Sequence, residues 1–260
     1  RNGENQRLLV DCERDRCAEP TWSMDRKTIA FTRETFQTNT NGYRPAQIWT
    51  VDVKSGETSR LYQSDIAFGH APSFSPDGKK FASYDTTQNG IRILDLETSQ
   101  ESIVPRILPG VGDWSQDGKK MLFTDVIAAE NEPFVQVYIV DLNTNEVVPA
   151  FGKEITDTDF SQPRWMPGEE WIAASLRPVN SNANKALWAI RLGDAFSIPI
   201  SDDLSAIYSS YQWDPWGYQL VYQRLELTSS DPVTSIWLWD WETRQSRLII
   251  ENAARPAWLP

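Results

Sequence analysis

The chain has 260 residues, of which 40% are hydrophobic and 23% charged, and its formal net charge is −11. That is a globular composition, which excludes disorder as a description of the whole chain. No apolar run approaches the roughly 18 residues of a transmembrane helix, so no direct membrane insertion is expected of this chain. Its acidic field makes nucleic acid and anionic membrane surfaces poor partners.

Tryptophan is over-used: there are 12 Trp against 3 Met and one His. Such usage points to aromatic positions fixed by a repeat. Thr21-Trp22-Ser23-Met24-Asp25-Arg26-Lys27 opens the first copy. Ser73-Phe74-Ser75-Pro76-Asp77-Gly78-Lys79 opens the second and Asp113-Trp114-Ser115-Gln116-Asp117-Gly118-Lys119 the third. Weaker copies follow at Arg164-Trp165-Met166-Pro167-Gly168 and Gln212-Trp213-Asp214-Pro215-Trp216-Gly217, and Pro256-Ala257-Trp258 begins a last fragment. The anchors at 22, 74, 114, 165, 213 and 258 are 40 to 52 residues apart. A mean of about 47 residues is the length of one four-stranded propeller blade.

Each period reads alike. An aromatic first strand enters a tight Asp-Gly-type turn, expected to be a two-residue hairpin because Gly accepts positive φ. A β-rich second strand follows, such as Lys27 to Thr32 or Lys119 to Thr124. After a variable polar loop, a third strand ends in Asp52, Asp95, Asp141 or Asp240, with Arg191 in the fourth copy. A short turn then leads to an outer strand, such as Ser59 to Tyr62. The intervening segments are too short and too rich in Asn, Ser, Pro and Gly for helices. The expected fold is all-β, a single β-propeller domain over residues 1–260.

These residues resemble the TolB-like, WD-related β-propeller repeat, marked by Trp-Ser-Pro-Asp-Gly before a strand. The resemblance spans nearly the whole chain. Ser75-Pro76-Asp77-Gly78 keeps the Ser-Pro-Asp-Gly core, with Phe74 in place of Trp, and copies four and five lack the Asp before Gly. The resemblance implies protein or peptide partners.

The ends bear on the blade count. Gln6 to Val10 precedes Trp22 much as Ser246 to Ile250 precedes Trp258, so it reads as an outer fourth strand. Six blades are expected, the sixth split between the termini with its other strands upstream of Arg1. Five blades with two surplus strands is the alternative.

The search for chemistry yields little. Two Cys and one His cannot build a four-ligand zinc site. Cys12 and Cys17 can close a local disulfide in an exported protein, the alternative being two separate reduced thiols. His70 lacks a nucleophile in a Gly-x-Ser-x-Gly elbow, and a structural hydrogen-bonding role suits it better. Asp141 to Glu146 imitates a calcium loop but lacks Gly at position six and an acid at position twelve. No catalytic residue, metal site or cofactor is expected. Trp22, Trp114, Trp165, Trp213 and Trp258 are assigned to packing blade on blade, whereas Trp216 and Trp241 fall in or beside turns.

The long second-to-third loops and the blade-to-blade loops share one end of the blades. They carry Arg33, Tyr43, Arg44, Phe68, His70, Arg106, Arg177 and Tyr208, an Arg and aromatic mixture of the hot-spot kind. The first functional reading is a non-enzymatic protein- or peptide-binding module of the cell envelope or exterior, periplasmic or extracellular. Any membrane association would come through a segment outside this chain. The alternative is a propeller enzyme of lyase or hydrolase type acting on carbohydrate, with Asp157, Asp159 or Glu130 as axial carboxylates. A sensor domain of a longer chain is a third reading.

Overall fold

A computed structural model of the chain describes residues 6–128, 133–227 and 232–258, and these contain strands and no helix. The chain clusters into two compact units, Arg1–Val111 and Gly112–Pro260.

In the first unit, β1 (Arg16–Trp22), β2 (Thr28–Glu34), β5 (Gln47–Asp52) and β6 (Thr58–Arg60) form blade 1. A side hairpin, β3 (Phe36–Gln37) and β4 (Gly42–Tyr43), interrupts its long loop. Blade 2 comprises β7 (Gly69–Phe74), β8 (Lys80–Asp85), β9 (Gly90–Asp95) and β10 (Glu101–Pro105). Alternation along β2 and β8 sends Ala30 and Phe81 into one cluster with Ile48, Tyr62, Ala67 and Leu94, against which Phe74 packs.

The second unit holds three blades. Blade 3 is β11 (Asp113–Trp114), β12 (Lys120–Ile127), β13 (Phe134–Asp141) and β14 (Val147–Pro149). Blade 4 is β15 (Thr158–Trp165), β16 (Trp171–Pro178), β17 (Ala186–Arg191) and β18 (Ser197–Ser201). Blade 5 is β19 (Ala206–Trp213), β20 (Gln219–Glu226), β21 (Thr234–Asp240) and β22 (Gln245–Glu251). Trp165 packs with Leu122, Val137 and Phe160, and Trp213 with Leu187, Ile200 and Trp239. In both cases the anchor of one blade fills the face of the blade before it, as large rings at this position should.

The fold is therefore a β-propeller of four-stranded antiparallel blades, and five blades are formed, the count held as the alternative. The split sixth blade is not formed by the described residues: 6–10 and 253–258 lie outside any strand. Two further expectations are corrected. Trp22 is 52% exposed rather than packed. The first-to-second connection is also longer than a two-residue hairpin. The Ser75 amide donates to the Lys80 carbonyl at 2.9 Å, leaving four residues between them.

That connection explains the Ser-x-Asp signature. In blades 1 to 3 the Ser hydroxyl donates to the Asp two residues on: Ser23 to Asp25, Ser75 to Asp77 and Ser115 to Asp117, at 2.6–2.8 Å. The same hydroxyl accepts the amide of the residue opening the second strand, Thr28, Lys80 or Lys120. Each Asp accepts a second amide, from Lys27, Lys79 or Lys119. The two amides that lead into the second strand are thus satisfied locally, which is what such side chains contribute to turns.

A second recurrent device is a bulge in the first strand. The register slips in β1, β7, β15 and β19, at Glu19, Ala71, Gln162 and Ser210, all with φ between 49° and 55°. Blade 3 has a glycine instead. Gly112 has φ 89°, and a Cβ there would lie 2.3 Å from the Leu122 carbonyl oxygen.

Candidate functional site

The strongest constellation belongs to the long-loop end of blade 1. The Cys12–Cys17 disulfide closes a loop whose last residues enter β1. Asp15, inside that loop, accepts a hydrogen bond from Arg33 Nε at 2.7 Å and one from the Phe36 amide at 2.8 Å. Burial pushes the Asp15 carboxyl up, but the Phe36 amide and the Arg33 guanidinium outweigh it and hold the group below the usual carboxylate range. One carboxylate thereby fastens the disulfide loop to β2 and to the side hairpin.

The exposed residues of the loop and hairpin interlock. Arg14 lies 3.8 Å over the Phe36 ring and Arg16 lies 4.0 Å over the Tyr43 ring. The two rings meet edge to face at 5.3 Å. The Arg44 amide donates to the Thr35 carbonyl and closes the hairpin base. Arg14, Arg16 and Tyr43 are exposed while Phe36 is half-buried. The result is an Arg and aromatic platform with its rotamers already restrained, each cation–π contact contributing about 0.5–1 kcal/mol at such exposure.

Beside the platform is a cleft of about 470 Å³ lined by Arg16, Glu19, Glu34, Ala46, His70 and Thr86 among others. Glu19 crosses from the bulge of β1 to accept the Ala71 amide at 2.8 Å. Arg16 and Glu34 pair at 3.6 Å. The His70 ring lies 5.2 Å from that of Tyr84, tilted by 40°. Gly69 lets the chain pass there, because a Cβ would come 2.5 Å from the Tyr84 carbonyl oxygen.

Of the residues singled out from the sequence, Tyr43 lies on the platform, Arg44 at its base and His70 in the cleft. Arg33 supports the platform from beneath, over Trp49. Phe68 is half-buried, and its carbonyl accepts the Thr86 amide and hydroxyl. The other three belong to the framework. Arg106 is buried, with Nη1 donating to the Gly110 carbonyl. Tyr208 is buried, and its hydroxyl donates to the Asp203 carbonyl. Arg177 donates to Asp159 and to the Ala183 carbonyl. Arg14, Arg16 and Phe36 were missed, although two arginines alternating within a Cys-bounded loop are visible in the sequence.

Two of the carboxylates considered for an enzyme lie among the described residues, and both are engaged by neighbouring groups. Asp159 is held by Arg177 and Lys185, each at 3.1 Å, and by the Val135 amide. Asp157 accepts the Thr158 hydroxyl, and Glu130 lies outside the described residues. Among the described residues no three His, Cys, Asp or Glu side chains converge as metal ligands.

A second cleft, of about 790 Å³, lies in the second unit and includes Asp113, Arg164, Trp165, Gln212, Arg255 and Trp258 in its lining. Asp113 accepts the Trp165 amide at 2.7 Å and Arg164 Nη1 at 3.2 Å. Burial pushes its carboxyl upward against both partners. Gln212 grips the C-terminal segment, its carbonyl accepting Trp258 Nε1 at 3.0 Å. This cleft is lined by structural links between first strands.

No family model and no curated protein matches the chain. Solved structures do match. An oligogalacturonate lyase in complex with manganese superposes with a TM-score of 0.68 at 16% identity, over 95% of this chain and 69% of its own. A putative TolB from Agrobacterium tumefaciens gives 0.65 at 15% identity, over 91% of this chain and 81% of that one. TolB from Acinetobacter baumannii gives 0.63 at 22% identity, over 94% of this chain and 56% of that one. The shared property is the propeller fold, which TolB proteins and enzymes both use.

Proposed function

We propose that this chain is a non-enzymatic module that binds a protein or peptide partner through the long-loop end of blade 1. The observation that carries this reading is the platform of Arg14, Arg16, Phe36 and Tyr43, fixed by Asp15 and the disulfide. Rigid aromatic and arginine side chains lose little entropy on binding, so their contact area is converted into affinity efficiently. The adjoining cleft offers room for a side chain or an extended segment. The likeness of fold to TolB proteins supports the same reading, as does the Cys12–Cys17 bond, which fits an oxidising compartment such as the periplasm or the cell exterior.

The test uses a displayed random-peptide library selected on the purified chain, with winning peptides titrated against variants. Tyr43→Ala and Arg16→Ala should each weaken binding about 10-fold or more, the equivalent of about 1.4 kcal/mol. Both should leave the melting temperature nearly unchanged, since neither side chain is buried. Reduction of the disulfide should weaken binding in the same direction. Peptides indifferent to both variants would overturn the reading. Turnover of an oligogalacturonide by the purified chain, lost on replacing Asp157 or Asp159, would establish the enzymatic alternative instead.

A further inference from the structure

The opposite end of the blades carries the short turns, and in the second unit these hold a set of aromatic side chains that turn formation does not require. The hydrogen-bond pattern aligns the blades position by position. Val53, Leu96, Leu142, Leu192 and Trp241 donate their amides to the carbonyls of Lys27, Lys79, Lys119, Glu170 and Tyr218 respectively. Asp52, Asp95, Asp141 and Arg191 donate theirs to Glu57, Gln100, Glu146 and Phe196. Positions that are Lys, Glu or Gln in blades 1 to 3 are therefore Tyr218 and Phe196 in blades 5 and 4. The place of Asp25, Asp77 and Asp117 is taken in blade 5 by Trp216.

These replacements are exposed: Trp216 by 72%, Tyr218 by 66% and Phe196 by 53%. They adjoin a continuous ring network. Phe196 meets Trp171 edge to face at 6.1 Å, and Trp171 meets Trp241 at 5.0 Å. Trp241 continues to Trp213 and Trp239 at 5.9 and 5.6 Å, so the outer rings are anchored on the core between blades 4 and 5. The turn bearing Trp216 leans on Met166, which lies 3.3 Å from where a Cβ of Gly217 would be.

Two guanidinium groups complete the surface. Arg191 sits over Trp171 and Phe196 and is paired with Asp194. Arg244 is exposed, lies 3.8 Å over Trp241 and 5.5 Å over Trp239, and makes no ion pair among the described residues. A lone cation stacked on an indole inside an apolar patch, on a chain of net charge −11, is a local reversal of sign.

We propose that the short-turn end of blades 4 and 5 is a second docking surface, for a protein segment that places a carboxylate on Arg244 beside an apolar side chain packed on Trp216, Tyr218 and Phe196. A protein fits better than a sugar. Arg244 over Trp241 and Arg191 over Trp171 and Phe196 set guanidinium donors for a carboxylate directly beside the exposed rings. What the patch offers is exposed aromatic rings and charge-assisted donors, the mixture enriched at protein interfaces.

The experiment selects the same kind of displayed random-peptide library on the intact chain carrying Tyr43→Ala and Arg16→Ala together, and discards peptides that bind more tightly once Tyr43 and Arg16 are restored. Enriched peptides should combine Asp or Glu with a large apolar residue. Arg244→Glu should weaken them about 100-fold and Trp216→Ser with Tyr218→Ser about 10-fold or more. Arg244→Lys should recover part of the loss. All these side chains are exposed, so the circular-dichroism melting curve should hold and serve as the folding control. A selection that enriches nothing, or peptides indifferent to Arg244→Glu, would overturn the proposal while leaving the blade 1 reading untouched. Quenching of tryptophan fluorescence by oligogalacturonide, abolished by Trp216→Ser, would overturn it in favour of a sugar.

Discussion

The first-to-second turns of blades 1 to 3 and those of blades 4 and 5 share one backbone design and reach it by different chemistry. In the former, Ser and Asp side chains satisfy the turn amides, and Lys covers the outside. In blade 5, Asp214 takes the serine's place and accepts the Gln219 amide at 2.9 Å. In blade 4, Met166 can do neither, and only the backbone pairs Met166 with Trp171 and Glu169 with Met166. Lost polar staples coincide with gained aromatics: Trp171, Phe196, Trp216, Tyr218 and Trp241 all cluster where the staples weaken. Side-chain hydrogen bonds and ring packing are thus alternative ways to rigidify the same turn. They leave different surfaces behind, one solvated and charged, the other apolar with guanidinium lids.

The largest effect should separate the two classes of anchor position. Trp165 fills the face of blade 3 and is buried, so Trp165→Ala should cost about 3–5 kcal/mol in a denaturant titration. Trp22 occupies the same repeat position but is half exposed, and Trp22→Ala should cost no more than about 1 kcal/mol. Equal losses would mean that Trp22 is packed in solution and that blade 1 has a neighbour the described residues do not supply.

The serine staple should be worth less. Ser75 is fully buried and serves both Asp77 and the Lys80 amide, so Ser75→Ala should cost about 1–3 kcal/mol by leaving a buried amide without its acceptor. Ser23 makes the same bonds in a half-exposed turn, where water can substitute, and Ser23→Ala should cost less than about 1 kcal/mol by the same measurement.

The smallest effect concerns acid. At the third-to-fourth turns, Asp52, Asp95, Asp141 and Asp240 accept backbone amides from the following turn residues. These bonds hold each carboxyl below its ordinary value of 3.8. In blade 4, the Arg191 guanidinium and the Phe196 amide pull Asp194 down to about 2. A carboxyl depressed in the folded state stabilises the fold above its unfolded value and loses that contribution as pH falls through the folded value. The melting temperature should therefore decline between about pH 4 and 2, and Asp141→Asn should flatten the decline slightly. Screening by solvent keeps each share small, since all five groups are at the surface.

Much of this architecture was legible in the chain. The spacing of aromatic anchors fixed the period, the Ser-x-Asp and strand-ending Asp signatures marked the turns, and alternation marked the buried faces. These signals are local: a hydroxyl reaches an amide five residues on, and a carboxylate one three residues on, whatever the rest of the molecule does. The adjacent cysteines were legible for the same reason.

The candidate surfaces were legible only in part. Of the residues chosen as loop residues, Tyr43 falls on the side hairpin and His70 at the start of the first strand of blade 2, both at the candidate site, whereas Arg106, Arg177 and Tyr208 are engaged by Gly110, Asp159 and Asp203. Whether an arginine at the end of a strand is free or spent depends on a partner 18 residues away for Arg33 and Asp15, as for Arg177 and Asp159. No periodicity records such a pairing. Blade period and turn positions were therefore legible in the sequence alone, because their hydrogen bonds close within a few residues, although the first-to-second turn is longer than the two-residue hairpin expected. Tertiary structure decided which anchors were covered, which charges were neutralised and where aromatic rings met, because burial and ion pairing depend on which strands pack side by side.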